Sequence, residues 1–183
     1  MHMFGRPRGV LGRVGGIIMA KTNEACGIWV TDLLQVGPQD SVLEVGFGPG
    51  VIIQRLSRLA SAGHITGIDP SREMVEQARA RNAIAIKEGR VELHCGSVGG
   101  LPFDDNTFDE ALAINSMQVW PDTIAGLREI RRVMKSGGRV AVGFTPYSRQ
   151  QKQGLTQTLS AAGFAGATVA EKDNYFCALA DKP

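Results

Sequence analysis

Ser41-Val42-Leu43-Glu44-Val45-Gly46-Phe47-Gly48-Pro49-Gly50 is the stretch that decides the fold. It reads as a short buried-strand run ending on three alternating glycines, and Val51 to Leu59 then continues with Ile52, Ile53, Leu56 and Leu59 at roughly helical spacing. The glycines let the backbone turn sharply and let a ligand reach the main chain with no Cβ in the way. The helix that follows offers unpaired N–H groups at its first turn.

Outward from this junction, short apolar runs alternate with helical patterns. His64 to Ile68 is a second strand, stopped by Asp69-Pro70; Ser71 is an N-cap, with Glu73 and Glu76 early in its helix, where negative charge suits the dipole. A third strand covers Arg90 to Cys95, and a long glycine-rich loop leads through Leu101-Pro102-Phe103 to a fourth over Phe108 to Ile114. Thr123 to Met134 is the best amphipathic helix, with Ile124, Leu127, Ile130, Val133 and Met134 on one side. Ser136-Gly137-Gly138 ends it before a fifth strand, Arg139 to Phe144. A polar helix is expected over Ser148 to Ala162, then strands over Ala167 to Glu171 and Tyr175 to Ala180, joined by Lys172-Asp173-Asn174. Upstream, Thr22 to Leu34 has a helical pattern whose Ile28, Trp29, Leu33 and Leu34 can pack on the sheet or close over a pocket.

Seven strands interleaved with helices make an α/β chain with a doubly wound sheet covered on both faces. No repeat or linker divides the 183 residues. The expected organisation is one compact unit: an N-terminal arm and lid helix over residues 1–35, and a ligand-binding domain over residues 36–183.

Composition narrows the function. Twenty basic and 18 acidic side chains give a net charge of +2, far from the balance of a dedicated nucleic-acid binder. The charge is uneven: Arg6, Arg8, Arg13 and Lys21 precede the first acid, Glu24, and 16 bases face 18 acids in the rest. This basic arm reads as a solvated or lid-forming segment, with contact to phosphate or an anionic surface as the alternative. The arm lacks the apolar run of a signal peptide, and no apolar stretch is long enough to span a membrane, so a cytoplasmic address is expected. Cys26, Cys95 and Cys177 are widely spaced and read as free thiols; no metal site is expected.

Asp69 stands 19 residues after Gly50 at the end of the second strand. Doubly wound folds place a carboxylate there to bond both hydroxyls of a ribose. With the glycine turn, it points to an adenosine-type ligand across the carboxyl ends of the first two strands. In a dinucleotide fingerprint the third glycine falls three residues after the second; here Gly50 follows Gly48 by two and Val51 holds the fingerprint position.

At these residues the chain resembles the class I S-adenosylmethionine-dependent methyltransferases of the methyltransferase type 11, UbiE-like superfamily. Val42 to Gly50 is similar to the first motif of that family, and Gly67-Ile68-Asp69-Pro70-Ser71 with Met74 to the second. Leu101 to Asp109 resembles the segment before its fourth strand, and Leu127 to Gly138 its next helix and turn. The resemblance implies a Rossmann-like sheet, mostly parallel with an antiparallel C-terminal strand, and S-adenosyl-L-methionine as cofactor with S-adenosyl-L-homocysteine as product.

It also implies roles. Glu44 would hold the ammonium of the methionine part, and Gly46, Phe47, Gly48 and Gly50 would lie against that part. Asp69 would take the ribose hydroxyls, with Pro70 and Met74 beside the adenine. Ser97 stands where relatives often carry an Asp that accepts from the adenine amino group, which leaves that contact to Ser97 or to the backbone at Val98. Asn115 and Ser116 follow the fourth strand, where cofactor and acceptor should meet. Gln118 and Trp120 occupy positions where relatives often have His-His or His-Leu before a Pro-Asp, and with Ser116 they form the expected acceptor side. Asp122 and Tyr147 are the candidates for deprotonating or positioning the acceptor. With no long insertion after the fifth strand, residues 4–34 would have to roof the pocket, which implies a small organic or lipid-like acceptor, or an anionic one drawn by the basic arm. An NAD(P)-dependent oxidoreductase and a non-catalytic S-adenosylmethionine-binding partner protein stay open as alternatives, as do monomer and homodimer.

Overall fold

The computed structural model describes residues 23–183. Seven strands form one sheet in the order β3-β2-β1-β4-β5-β7-β6: β1 Ser41–Val45, β2 His64–Asp69, β3 Val91–Cys95, β4 Phe108–Ile114, β5 Met134–Phe144, β6 Ala165–Lys172 and β7 Tyr175–Asp181. β1 to β5 are parallel, and β7 runs antiparallel to both β5 and β6. β1 lies centrally and carries Val42, Leu43 and Val45 fully inside, as expected of a parallel strand buried on both faces.

Helices cover the two faces. On one lie α1 (residues 23–34), α2 (Val51–Leu59), α3 (Arg72–Arg81) and α4 (Ala83–Lys87), around Val30, Ile53, Leu56, Ile65 and Leu112. On the other lie α5 (Thr123–Val133) and α6 (Leu155–Ala161), around Leu43, Phe108, Leu127, Ile130 and Phe144. Ser71 caps α3 by accepting from Met74 N at 3.3 Å, and Asp122 caps α5 by accepting from Ala125 N at 2.9 Å.

Three sequence expectations need correction. The polar helix over Ser148 to Ala162 is only α6: Pro146–Ser148 is a 3-10 turn, and Arg149 (φ 57°) and Gly154 (φ 84°) take left-handed backbone that breaks the run. Ile124 is 37% exposed and does not join the buried side of α5. β5 starts directly at Met134, where α5 ends; Met134 pairs with Phe108 and Arg139 with Glu110, so Lys135 to Gly138 bulge out between them. The basic arm carrying Arg6, Arg8, Arg13 and Lys21, and the roof expected from it, lie outside the described residues. Among those described, no helix is long and apolar enough to cross a membrane.

Candidate active site

The strands β1, β2 and β4 all end at one edge, and the glycine turn between β1 and α2 crosses it. Gly46 (φ 77°) and Gly50 (φ 76°) take left-handed backbone that only glycine adopts without strain. A Cβ on Gly46 would run into the Ser116 side chain, so the turn lies flat against the residue that follows β4. Ser116 is buried and its hydroxyl donates to Val45 O at 2.9 Å, holding the turn from behind.

Asp69 ties this turn to the end of β2. It is buried, its Oδ2 accepts from Gly48 N at 2.9 Å and its Oδ1 from Ser71 N at 2.8 Å, while Gly46 N donates to Ile68 O at 2.8 Å. Each carboxylate oxygen keeps a further lone pair for a hydroxyl partner.

Beside the turn opens a cavity of about 370 Å³ lined by Glu24 of α1, Glu44, Gly46 to Pro49, and the apolar Val51, Ile52 and Ile114, with Asn23 and Asn115 at its rim. Glu44 is 2% exposed and its Oε2 has no hydrogen-bond partner among the described residues. Burial, and after it the Asp69 carboxylate, hold the Glu44 carboxyl well above the usual range. A carboxyl kept inside a central strand without a donor is costly, and a cationic or N–H-bearing ligand in the cavity would remove that cost. A smaller cavity, about 160 Å³, lies over α2 between Glu24, Ile28, Arg55 and Arg58, away from Glu44 and Asp69.

The remaining expected residues divide. Phe47 is buried in the core, with its ring close to Gly67, and also lines the cavity. Pro70 is exposed and Met74 half-buried at the start of α3. Ser97 is exposed and its hydroxyl accepts from Gly99 N at 3.4 Å, whereas Val98 is buried near Gly126 and Trp120. The Asn115 side chain joins three elements: its Nδ2 donates to Asn23 Oδ1 at 2.8 Å and Thr145 Oγ1 at 3.0 Å, and its Oδ1 accepts from Thr145 N at 2.9 Å. Gln118 donates from Nε2 to Asn115 O at 2.8 Å and leaves Oε1 buried without a partner among the described residues. Asp122 is engaged as the α5 cap, and Tyr147 is 50% exposed on the 3-10 turn after β5.

Asn23, Glu24, Val51, Ile52 and Ile114 were not anticipated as lining. Only the amphipathic pattern of Thr22 to Leu34 hinted that its first turn would reach the site. Cys26 and Cys177 are buried, which pushes the Cys26 thiol up to about 12 and raises that of Cys177 as well, so neither is a nucleophile at neutral pH. Among the described residues no His, Cys, Asp and Glu cluster could hold a metal ion.

The fold and the turn define a doubly wound protein with a nucleoside-type site at the carboxyl ends of its central strands. Residues 42–138 match the model of the methyltransferase domain family. The chain is 30% identical over 182 residues to the uncharacterized methyltransferase YdaC of Bacillus subtilis, covering 93% of this chain and 98% of YdaC. Over 110 residues it is 34% identical to the ubiquinone/menaquinone biosynthesis C-methyltransferase UbiE of Geotalea daltonii, covering 60% of this chain and 47% of UbiE. Its fold is shared with a SAM-dependent methyltransferase from Aquifex aeolicus at 22% identity and a TM-score of 0.71, over 84% of this chain and 88% of that one. The chain belongs to the methyltransferase domain family, as a class I S-adenosylmethionine-dependent methyltransferase. Of the readings open from the sequence, the methyltransferase one stands.

Proposed function

We propose that this enzyme transfers the methyl group of S-adenosylmethionine, by in-line displacement, to a small, neutral, lipid-like acceptor held at the open ends of β1, β4 and β5. The observation that carries the cofactor placement is the orphaned, buried Oε2 of Glu44 in a cavity bounded by the glycine turn. Glu44 would hold the ammonium of the methionine part, and the backbone of Gly46, Phe47, Gly48 and Gly50 would lie along that part. Asp69, already oriented by Gly48 N and Ser71 N, accepts from both ribose hydroxyls. Pro70 and Met74 flank the adenine, and Ser97 with the backbone at Val98 meets its edge.

The cofactor supplies an activated sulfonium methyl, so the protein needs chiefly to align the acceptor's lone pair behind the carbon–sulfur bond and keep water out. Asn115 fixes the floor of that space by joining β4, β5 and α1. Gln118 presents its unpartnered Oε1 to a hydroxyl or N–H of the acceptor, and Ser116 supports the glycine turn between the two ligands. Trp120, partly buried, bounds the acceptor side, where Val119 and Tyr147 expose apolar surface. Asp122 and Tyr147 are the groups placed to receive or relay the acceptor's proton as the new bond forms.

A lipid-like acceptor is supported by the apolar Ile114 at the end of β4 and the exposed Val119 and Tyr147 on the acceptor side, and a neutral one by Glu24, the charged group left in the lining once Glu44 pairs with the cofactor's ammonium. The quinone-pathway name of the UbiE relative agrees with this class. Titration calorimetry with S-adenosylmethionine, S-adenosylhomocysteine and NAD tests the cofactor placement. The first two should bind and NAD should not, and Asp69→Ala should weaken both; binding of NAD alone would refute the placement. A panel of prenylated phenols and anionic amphiphiles then tests the acceptor, with turnover on the anionic set alone as the contrary result.

A further inference from the structure

At the junction of α3 and α4, two consecutive residues reach across to backbone carbonyls of the glycine turn. Asn82, 3% exposed at the junction of α3 and α4, donates from Nδ2 to Gly50 O at 3.1 Å and to Ala78 O at 2.8 Å. Arg81 donates from Nε to Pro49 O at 3.0 Å. Gly50 is packed so closely here that a Cβ would come within 2.6 Å of Ala78 Cβ and 2.8 Å of Asn82 Nδ2. It begins α2 without any side-chain cap of its own. The Asn82 amide holds these two acceptors while its own Oδ1 stays buried and unpartnered. An amide placed for α-helix capping alone would not need to span 32 residues to Gly50.

α3 therefore grips the cofactor turn at both of its ends. At its start, Asp69, whose other carboxylate oxygen accepts from Ser71 N, accepts from Gly48 N; at its finish, Arg81 and Asn82 hold the carbonyls of Pro49 and Gly50. The first grip lies where the ribose is proposed to bind. The second secures the segment whose other side, Gly46 to Pro49, lines the cavity next to Glu44.

We propose that Asn82 and Arg81 are positioning residues for the amino-acid end of the cofactor: they fix the glycine turn against α3 so that its backbone meets the methionine part, while the adenosine end is held through Asp69. This rests on the cofactor placement given under Proposed function. Because the two grips act on different parts of one ligand, their loss should be separable by ligands that carry one part or both.

The test is calorimetric titration of the wild type, Asn82→Ala, Arg81→Ala and Arg81→Lys with S-adenosylhomocysteine and with 5′-methylthioadenosine, which lacks the amino-acid part. Asn82→Ala should lose about tenfold in S-adenosylhomocysteine affinity and Arg81→Ala about threefold, about 1.4 kcal/mol for the tenfold case. Both should keep 5′-methylthioadenosine affinity within about twofold of wild type, and Arg81→Lys should recover most of its loss. In turnover, KM for the cofactor should rise with kcat little changed. Equal losses for both ligands would make the pair merely structural, and unchanged S-adenosylhomocysteine binding would remove the role; either overturns the proposal. Arg81 is exposed, so Arg81→Ala decides the matter even if Asn82→Ala fails to fold. A wild type that binds neither ligand overturns the cofactor placement itself, and the proposal with it.

Discussion

The two ends of the sheet treat polar groups in opposite ways. At the amino end, Asp109 accepts from Ser41 N at 2.9 Å and from Lys135 Nζ at 2.8 Å, and Glu110 accepts from Arg139 N. Arg132, at the end of α5, donates to Leu101 O, Phe103 O, Asp105 and Glu129, and Lys182 Nζ reaches Met134 O and Asn106. The long 101–107 loop is closed by these bonds. At the carboxyl end, Glu44 and Gln118 each keep a buried oxygen without a donor among the described residues. Satisfied groups hold a fold, and each unsatisfied buried one calls for an explanation, which at this end is a ligand. Among the described residues the carboxyl end leaves these two oxygens open, while the amino-end groups named above are paired.

Substitutions at the two ends should therefore separate binding from stability. Asp69→Ala should show one of the two largest effects, a loss of about 100-fold in S-adenosylhomocysteine affinity, since hydrogen bonds to a charged group contribute about 1.5–3 kcal/mol each. At the opposite end, Arg132→Ala should lower stability by about 2 kcal/mol in denaturant unfolding through its lost loop-closing bonds, while affinity stays within about twofold. Glu44→Gln should make the unliganded protein more stable by about 1 kcal/mol while weakening binding, because it replaces a carboxyl that burial keeps from ionising. A further difference concerns pH. Burial raises the Glu110 carboxyl from 4.5 to about 8, so between those values the folded chain holds a proton that the unfolded chain releases. Stability from this group is therefore fully present below about pH 4.5 and is lost as pH rises towards 8. Glu110→Gln should flatten that part of the stability profile, and an unaltered profile would contradict the account.

The carboxyl end was the more readable from sequence, and for a physical reason. A strand running into alternating glycines and an acid closing the next strand are local patterns that demand particular residue types, so β1, β2, Glu44 and Asp69 could be placed from the order of residues alone. Seven strands and their flanking helices followed from apolar periodicity. The amino end depends on long-range partners, such as Lys182 with Asn106 or Arg132 with Leu101 O, which no local window contains. The same holds within the site: Asn82 lies 32 residues from the carbonyl it holds, and Asn23 is 92 residues from Asn115. The α6 region misled because its polar residues permit helix, while the left-handed Arg149 and Gly154 break it for reasons of chain path.

The central claim, that the buried carboxyl of Glu44 holds the cofactor's ammonium, is tested most directly by S-adenosylhomocysteine titration at pH 7 in two buffers of different ionisation enthalpy. The wild type should bind with release of up to about one proton, and affinity should rise with pH as ionisation of Glu44 becomes easier. Glu44→Gln should bind with no proton release and about 100-fold more weakly, as expected when one partner of a buried pair is removed. Equal affinity and equal proton release in the wild type and Glu44→Gln would contradict it.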